Sequence, residues 1–255
     1  MRMTDSHCHF DFDAFSSQRA QHWQQAQQVG VHRLVIPGVA EDQWPHLPKL
    51  CEEYNGLYYG LGLHPWWLAN ATTHWQEHLR DALERKSVHC VALGEIGLDS
   101  SRSVTAEHQE TALVAQLKLA NEFALPVLLH SHKTHDRVLK WLRRYPVVGG
   151  IIHGFSGSLQ EAKAFWALGI HLGVGGTITY PRANKTRQAI AAMPLESLVL
   201  ETDAPDMPLS GFQGQDNHPK QLPLVLDALA ELHQQEADKI APQLEKNVAE
   251  LFGWS

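Results

Sequence analysis

At 255 residues, with 44% hydrophobic and 19% charged, the chain has the make-up of an ordinary globular protein able to build a large core. No apolar run reaches the length needed to span a bilayer, and Asp5 with two histidines stands where a signal peptide would carry its apolar stretch, so the expected compartment is the cytoplasm. The net charge of −7 argues against broad, sequence-blind adhesion to nucleic acid, and the three cysteines, an odd number without a CxxC pair, give no disulfide framework.

Short β-type runs alternate with longer helical ones along the whole chain. Strands are expected over 2–7, 33–37, 57–62, 89–94, 126–130, 148–153, 170–174 and 197–202, with helices near 17–29, 41–54, 73–86, 105–124, 134–144, 158–168 and 184–192. The helical period is clearest over 105–124, where Leu113, Leu117, Ala120 and Ala124 share a face. Runs such as Pro126-Val127-Leu128-Leu129 are apolar on both faces, as parallel strands covered by helices must be. A Pro/Gly-rich loop from Ala204 to Lys220 precedes a helix over 221–235, and a last helix starts near Pro242 and stops at Gly253. With no repeat, low-complexity tract or linker, residues 1–255 read as one α/β domain, a (β/α)8 barrel, with a doubly wound open sheet as the alternative.

In such a barrel the reactive groups collect at the C-terminal ends of the strands. His7 and His9 are two apart at the end of the first strand, so both imidazoles point to one side. Glu95 ends the fourth strand, His130 the fifth, His153 the sixth, and Asp203 follows the eighth. Any one of these is more often structural than catalytic. Six nitrogen and oxygen ligands at one end of a barrel are enough to hold two divalent cations. Glu95 has two oxygens with which to bridge them, His7, His9 and Asp203 complete one site, and His130 and His153 the other. Water held there gives hydroxide near neutral pH, and Asp203 doubles as a general base, so Glu95 and Asp203 are the expected catalytic groups.

The segments Asp5-Ser6-His7-Cys8-His9-Phe10-Asp11, Gly94-Glu95-Ile96-Gly97-Leu98-Asp99, Pro126-Val127-Leu128-Leu129-His130-Ser131, His153-Gly154-Phe155-Ser156-Gly157 and Glu201-Thr202-Asp203-Ala204-Pro205 together resemble the TatD family of metal-dependent hydrolases. The resemblance spans almost the whole chain. It implies a TIM barrel of the metallo-dependent hydrolase type, a two-metal site on the six ligands above, and magnesium-supported deoxyribonuclease activity, including 3′→5′ exonuclease action. The chain departs from the family's usual pattern at three places: His132 stands where an arginine is common, Gly154 follows the sixth-strand histidine in place of cysteine, and Ser100-Ser101 replaces an aromatic pair.

Around the rim, His64 in Gly62-Leu63-His64-Pro65 is a candidate substrate contact or a capping histidine in a tight turn. Trp66 or Trp67 is placed to stack on a base, although burial against helices suits at least one of them. Arg182 and Lys185 are candidates for holding phosphate, with His132 as a pH-dependent contact in place of the arginine. Cys8 should point away from the cations by strand alternation. The expected function is therefore a deoxyribonuclease that uses two divalent cations (Mg²⁺, Mn²⁺ or Zn²⁺) with single-stranded DNA as substrate and no obligate protein partner. The alternative is an amidohydrolase opening a small cyclic amide or ester. Such barrels often bridge their metals with a modified lysine where Glu95 stands, which favours the first reading.

Overall fold

The computed structural model describes residues 1–101 and 104–254. Eight parallel strands, β1 (Met3–Asp5), β2 (Val31–Ile36), β3 (Leu57–Leu61), β4 (Cys90–Asp99), β5 (Val127–His132), β6 (Gly150–Ile152), β7 (Ile170–Val174) and β8 (Leu198–Leu200), pair in sequential order. The helices between them are α1 (Asp13–Ser16), α2 (Arg19–Gln28), α3 (Leu47–Glu53), α4 (Trp75–Glu84), α5 (Ala106–Glu122), α6 (His135–Arg144), α7 (Leu159–Trp166) and α8 (Asn184–Ala192). After β8 come α9 (Leu222–His233) and α10 (Ala237–Phe252). Among the described residues no helix is long and apolar enough to cross a membrane.

The seam between β8 and β1 is closed by backbone bonds. Ser6 N–H donates to the Leu200 carbonyl at 2.9 Å, and Asp203 N–H to the His7 carbonyl at 2.8 Å. The buried Asp5 carboxylate adds to it, accepting from Thr202 N–H at 3.0 Å and from the Thr202 hydroxyl at 2.6 Å. This closed ring is the expected (β/α)8 barrel and rules out the open doubly wound sheet. Its interior is filled by a cluster of Val35, Val91, Ala92, Leu128, Ile151 and Val199, drawn from five strands, with Val248 of α10 packed against them. The larger apolar cluster lies between strands and helices.

Three elements differ instructively from their expected bounds. β4 runs to Asp99, five residues beyond its expected end, so Glu95 lies within the strand. Between Leu93↔Val127 and Ile96↔Leu129, β4 spends one residue more than β5, a bulge at Gly94 and Glu95 that re-aims a side chain. Gly97 allows the strands to stay together there, because a Cβ at that position would sit 1.9 Å from the His130 carbonyl oxygen. α10 begins at Ala237 and not near Pro242, since burying Ile240 and Ala241 outweighs the one backbone bond that Pro242 cannot donate. Likewise α5 stops at Glu122. Ala124 turns left-handed, with φ 50°, and leaves the helical face it was expected to share.

Gly97→Ala is expected to destabilise the fold by about 1–3 kcal/mol, since the new methyl meets backbone that has no rotamer to yield. Urea unfolding checks this, and an unchanged midpoint would show that β4 and β5 can separate freely.

Candidate metal centre

The site forms where β1, β3, β4, β5, β6 and β8 end. Beyond β1 the chain stays tied to both neighbours, with Cys8 N–H donating to the Val35 carbonyl at 3.1 Å and His9 N–H to the Ala204 carbonyl at 2.8 Å. These bonds hold His7 and His9 facing the same way. The buried Cys8 thiol lies against the Ala204 carbonyl, away from the cluster. His153 is one residue past β6 and is tied to β5 by its N–H, 3.0 Å from the Leu129 carbonyl.

All six expected ligands meet around Glu95, whose two oxygens face different partners. Oε2 lies 3.3 Å from His7 Nε2 and 3.7 Å from His9 Nε2. Oε1 lies 2.9 Å from His153 Nε2 and 3.2 Å from His130 Nδ1. Asp203 Oδ1 is 3.5 Å from His7 Nε2, 3.6 Å from His9 Nε2 and 3.9 Å from His153 Nδ1. Among the described residues three groups bring their ligand atoms within 4.8 Å of one another: His7 with His9 and Glu95, His7 with His153 and Asp203, and His64 with Glu95 and His130.

This arrangement fits a divalent cation. Ligand atoms bound at about 2.0–2.2 Å stand roughly 3–3.5 Å apart along the edges of the polyhedron, and the pairs here lie at or within about half an ångström of that spacing. His7 Nε2 and His153 Nδ1 are buried and have no hydrogen-bond partner, although each points at a carboxylate. Such orphaned buried ring nitrogens are costly in a folded protein, and a cation bound to them would remove that cost.

Electrostatics points the same way. Burial lowers His7 to about 4, helped by the His153 charge and only partly opposed by Glu95, so its imidazole is neutral and free to ligate. Burial would raise Glu95, but His153, His64 and His7 outweigh it and hold the carboxyl well below its usual range. Burial pulls His153 down, yet Glu95 and Asp203 together push it up to about 10. His153 therefore carries a proton at neutral pH, which a cation must displace. Burial also raises Asp203 to about 7, more than the opposing His153 charge lowers it.

The other candidates are placed differently. His64 is buried, with Nδ1 accepting Trp66 N–H at 3.2 Å and Nε2 3.3 Å from Glu95 Oε1. With Nδ1 accepting, neutral His64 carries its proton on Nε2 and donates it to Glu95. His132 and Lys185 are exposed and line a cleft of about 920 Å³ that opens onto the site, together with Trp66, Lys133, Asp206 and Met207. Arg182 lies over the Tyr180 ring, 5.0 Å from its centroid, and Lys185 reaches Glu161 at 3.4 Å. Trp66 is 43% exposed, and Trp67 is partly buried beside it with the rings 6.0 Å apart.

Sequence reasoning missed Glu201 and Asp99. Glu201 is fully buried, with Oε1 accepting Gly154 N–H and Oε2 unpartnered. It fits only because Gly173 has no side chain, since a Cβ there would stand 2.1 Å from Glu201 Oε2. Burial raises its carboxyl to about 8 against the pull of His153. Asp99 ends β4 and bonds to His130. Both residues were quoted within motifs, but only their contacts across the barrel show what they touch.

Comparison with known proteins agrees with this geometry. The family model described as TatD related DNase matches residues 4–253. The chain belongs to the TatD family. It is 49% identical over 253 residues to the metal-dependent hydrolase YjjV of Escherichia coli (strain K12), covering 98% of each chain. The crystal structure of that TatD homologue superposes with a TM-score of 0.96, covering 99% of this chain and 98% of the other at 48% identity. It is 32% identical over 240 residues, 89% of each chain, to a protein of Klebsiella pneumoniae (strain 342) named as the 3'-5' ssDNA/RNA exonuclease TatD. A TatD family hydrolase from Entamoeba histolytica shares the fold, with a TM-score of 0.89 at 17% identity. The chain is thus a TatD family metal-dependent hydrolase.

Because His153 binds a proton up to about pH 10, metal binding should release protons, and apparent affinity should rise with pH toward that value. Calorimetric titration with Mn²⁺ in two buffers of different ionisation enthalpy should give heats that differ by the equivalent of roughly one proton per cation at this ligand set. Equal heats would mean that His153 is already neutral.

Proposed function

We propose that this protein is a phosphodiesterase that uses two divalent cations to remove nucleotides from single-stranded DNA, working from the 3′ end. The division of the two Glu95 oxygens between two sets of imidazoles carries this reading, since it provides two adjoining ligand sets that share one carboxylate. His7, His9 and Asp203 would hold one cation and His130 and His153 the other, with Glu95 common to both. Bound there, such cations polarise a phosphoryl oxygen and make water more acidic.

The chain's own groups do the rest. Asp203, held near 7 by burial, is matched to taking a proton and returning it at neutral pH. Glu95 stays ionised and keeps the surrounding imidazoles oriented. Lys133, Lys185 and His132 line the cleft where phosphates of a strand would lie, and the exposed Trp66 offers a face for a base. Arg182 reaches the strand only by leaving the Tyr180 ring, and His64 acts through Glu95 more directly than on the substrate. The substrate class is also supported by the exonuclease name of the Klebsiella relative.

Purified protein supplied with Mg²⁺ or Mn²⁺ should release mononucleotides from single-stranded DNA labelled at either end, and the label order gives the polarity. Glu95→Gln and Asp203→Asn should each lower the rate by at least about 10³-fold, a loss of roughly 4 kcal/mol of transition-state stabilisation. Intact DNA with every cation tried, alongside opening of small cyclic amides or esters, would place the chain in the other hydrolase class. Trp66→Ala should raise KM for DNA by about 5- to 100-fold, the worth of one stacked base, and leave kcat within a few-fold. A fall in kcat alone would argue against stacking at Trp66.

A further inference from the structure

Asp99 has no place among the six ligands, yet it is 2% exposed and accepts four hydrogen bonds. Its Oδ1 accepts from Ser101 N–H at 2.7 Å and from the Ser101 hydroxyl at 2.6 Å. Its Oδ2 accepts from the Trp66 indole Nε1–H at 2.6 Å and lies 3.0 Å from His130 Nε2. The backbone at Asp99 is fixed in turn. Its N–H donates to Gln109 Oε1 at 2.8 Å, and its carbonyl accepts from Gln109 Nε2 at 3.0 Å.

The geometry points to Asp99 as a positioning residue that locks His130 and Trp66 together through a single carboxylate oxygen. This rests on the reading of His130 as a metal ligand. An ionised carboxylate only accepts, so His130 must carry hydrogen on Nε2. In the neutral ring the lone pair is then on Nδ1, which lies 3.0 Å from His153 Nε2, whose N–H it can accept, and 3.2 Å from Glu95 Oε1. Carboxylate–histidine pairs of this kind fix the tautomer and strengthen the imidazole as a ligand. The same Oδ2 holds the Trp66 indole upright at the cleft, so the wall against which a base would stack cannot move independently of the ligand. Of the two donors that Ser101 gives to Oδ1, the hydroxyl is the one its serine side chain adds to the backbone N–H. An asparagine cannot replace Asp99, because its single oxygen would have to serve two pairs of donors on opposite sides.

The test compares wild type with Asp99→Asn, His130→Ala and Trp66→Phe, using Mn²⁺ affinity from competition with a chelating dye and the indole N–H and imidazole nitrogen resonances. In wild-type metal-free protein at mildly alkaline pH, His130 should carry hydrogen on Nε2. Asp99→Asn should weaken one of the two binding events by about 10- to 100-fold and leave the other within a few-fold. It should also speed solvent exchange of the Trp66 indole hydrogen, whose resonance is the one missing in Trp66→Phe. Unchanged Mn²⁺ affinity in Asp99→Asn, with His130→Ala impaired, would overturn this role for Asp99 alone. A His130 ring with Nε2 bare and hydrogen on Nδ1 alone would also overturn it, without any variant. Identical Mn²⁺ binding by wild type and His130→Ala would instead remove the ligand reading on which it stands.

Discussion

The structure depends on one buried carboxylate. Glu95 is 2% exposed at the mouth of the barrel, and an ionised carboxyl in that position costs several kcal/mol unless positive charge or donors surround it. Here the compensation comes from imidazoles at the ends of β1, β3, β5 and β6, and no short segment of chain could bring them together. Only a closed ring sets elements this far apart in sequence around one point. Closure at the β8–β1 seam, where Asp5 grips Thr202, also delivers Asp203 beside His7. The folding constraint and the chemical one are therefore the same. A barrel that failed to close would lose the neutralisation of Glu95 along with the site.

Backbone geometry sets the finer placement. The bulge at Gly94 and Glu95 turns the carboxylate toward the axis, and Gly97 keeps β4 hard against the carbonyl of His130. At the far side Gly173 leaves the room that Glu201 occupies, and Glu201 in turn accepts Gly154 N–H directly after His153. Gly94, Gly97 and Gly173 each stand where a neighbouring strand or a buried carboxyl comes too near for a side chain. Rotamers can relax but such backbone contacts cannot, so ligand positions fixed this way vary little before a cation arrives.

Much of this was legible in the sequence, for physical reasons. Alternation of β and α runs reports local periodicity, and the rule that barrels place reactive groups at strand ends turned His7, His9, Glu95, His130, His153 and Asp203 into one cluster. What stayed hidden depends on contacts remote in sequence. Nothing local says that Asp99 meets Trp66, 33 residues away, or that Asp5 meets Thr202. The end of β4 was hidden because glycines weaken the strand pattern, although pairing with β5 continues to His132. The start of α10 was misplaced because Pro242 usually opens a helix, and burial of Ile240 decided otherwise. Arg182 was on the right loop, but its side chain found an aromatic face before it found the cleft.

The cleft's charge indicates how an anionic strand could be held by a protein of net charge −7. Its lining sets Lys133 and Lys185 among Asp136, Glu161 and Asp206, and Lys185 is already engaged by Glu161. Side chains alone therefore offer little net attraction to phosphate. Exposed lysines screened by salt contribute weakly, and the nearby carboxylates offset them. The positive charge in the site would come chiefly from the cations held around Glu95, so substrate would bind strongly only where the bond to be cut already lies. An enzyme built this way does not grip long stretches of backbone. On the proposed function its binding energy would be concentrated at the reacting phosphate and at the ring wall of Trp66, which suits attack at an end and not along a duplex.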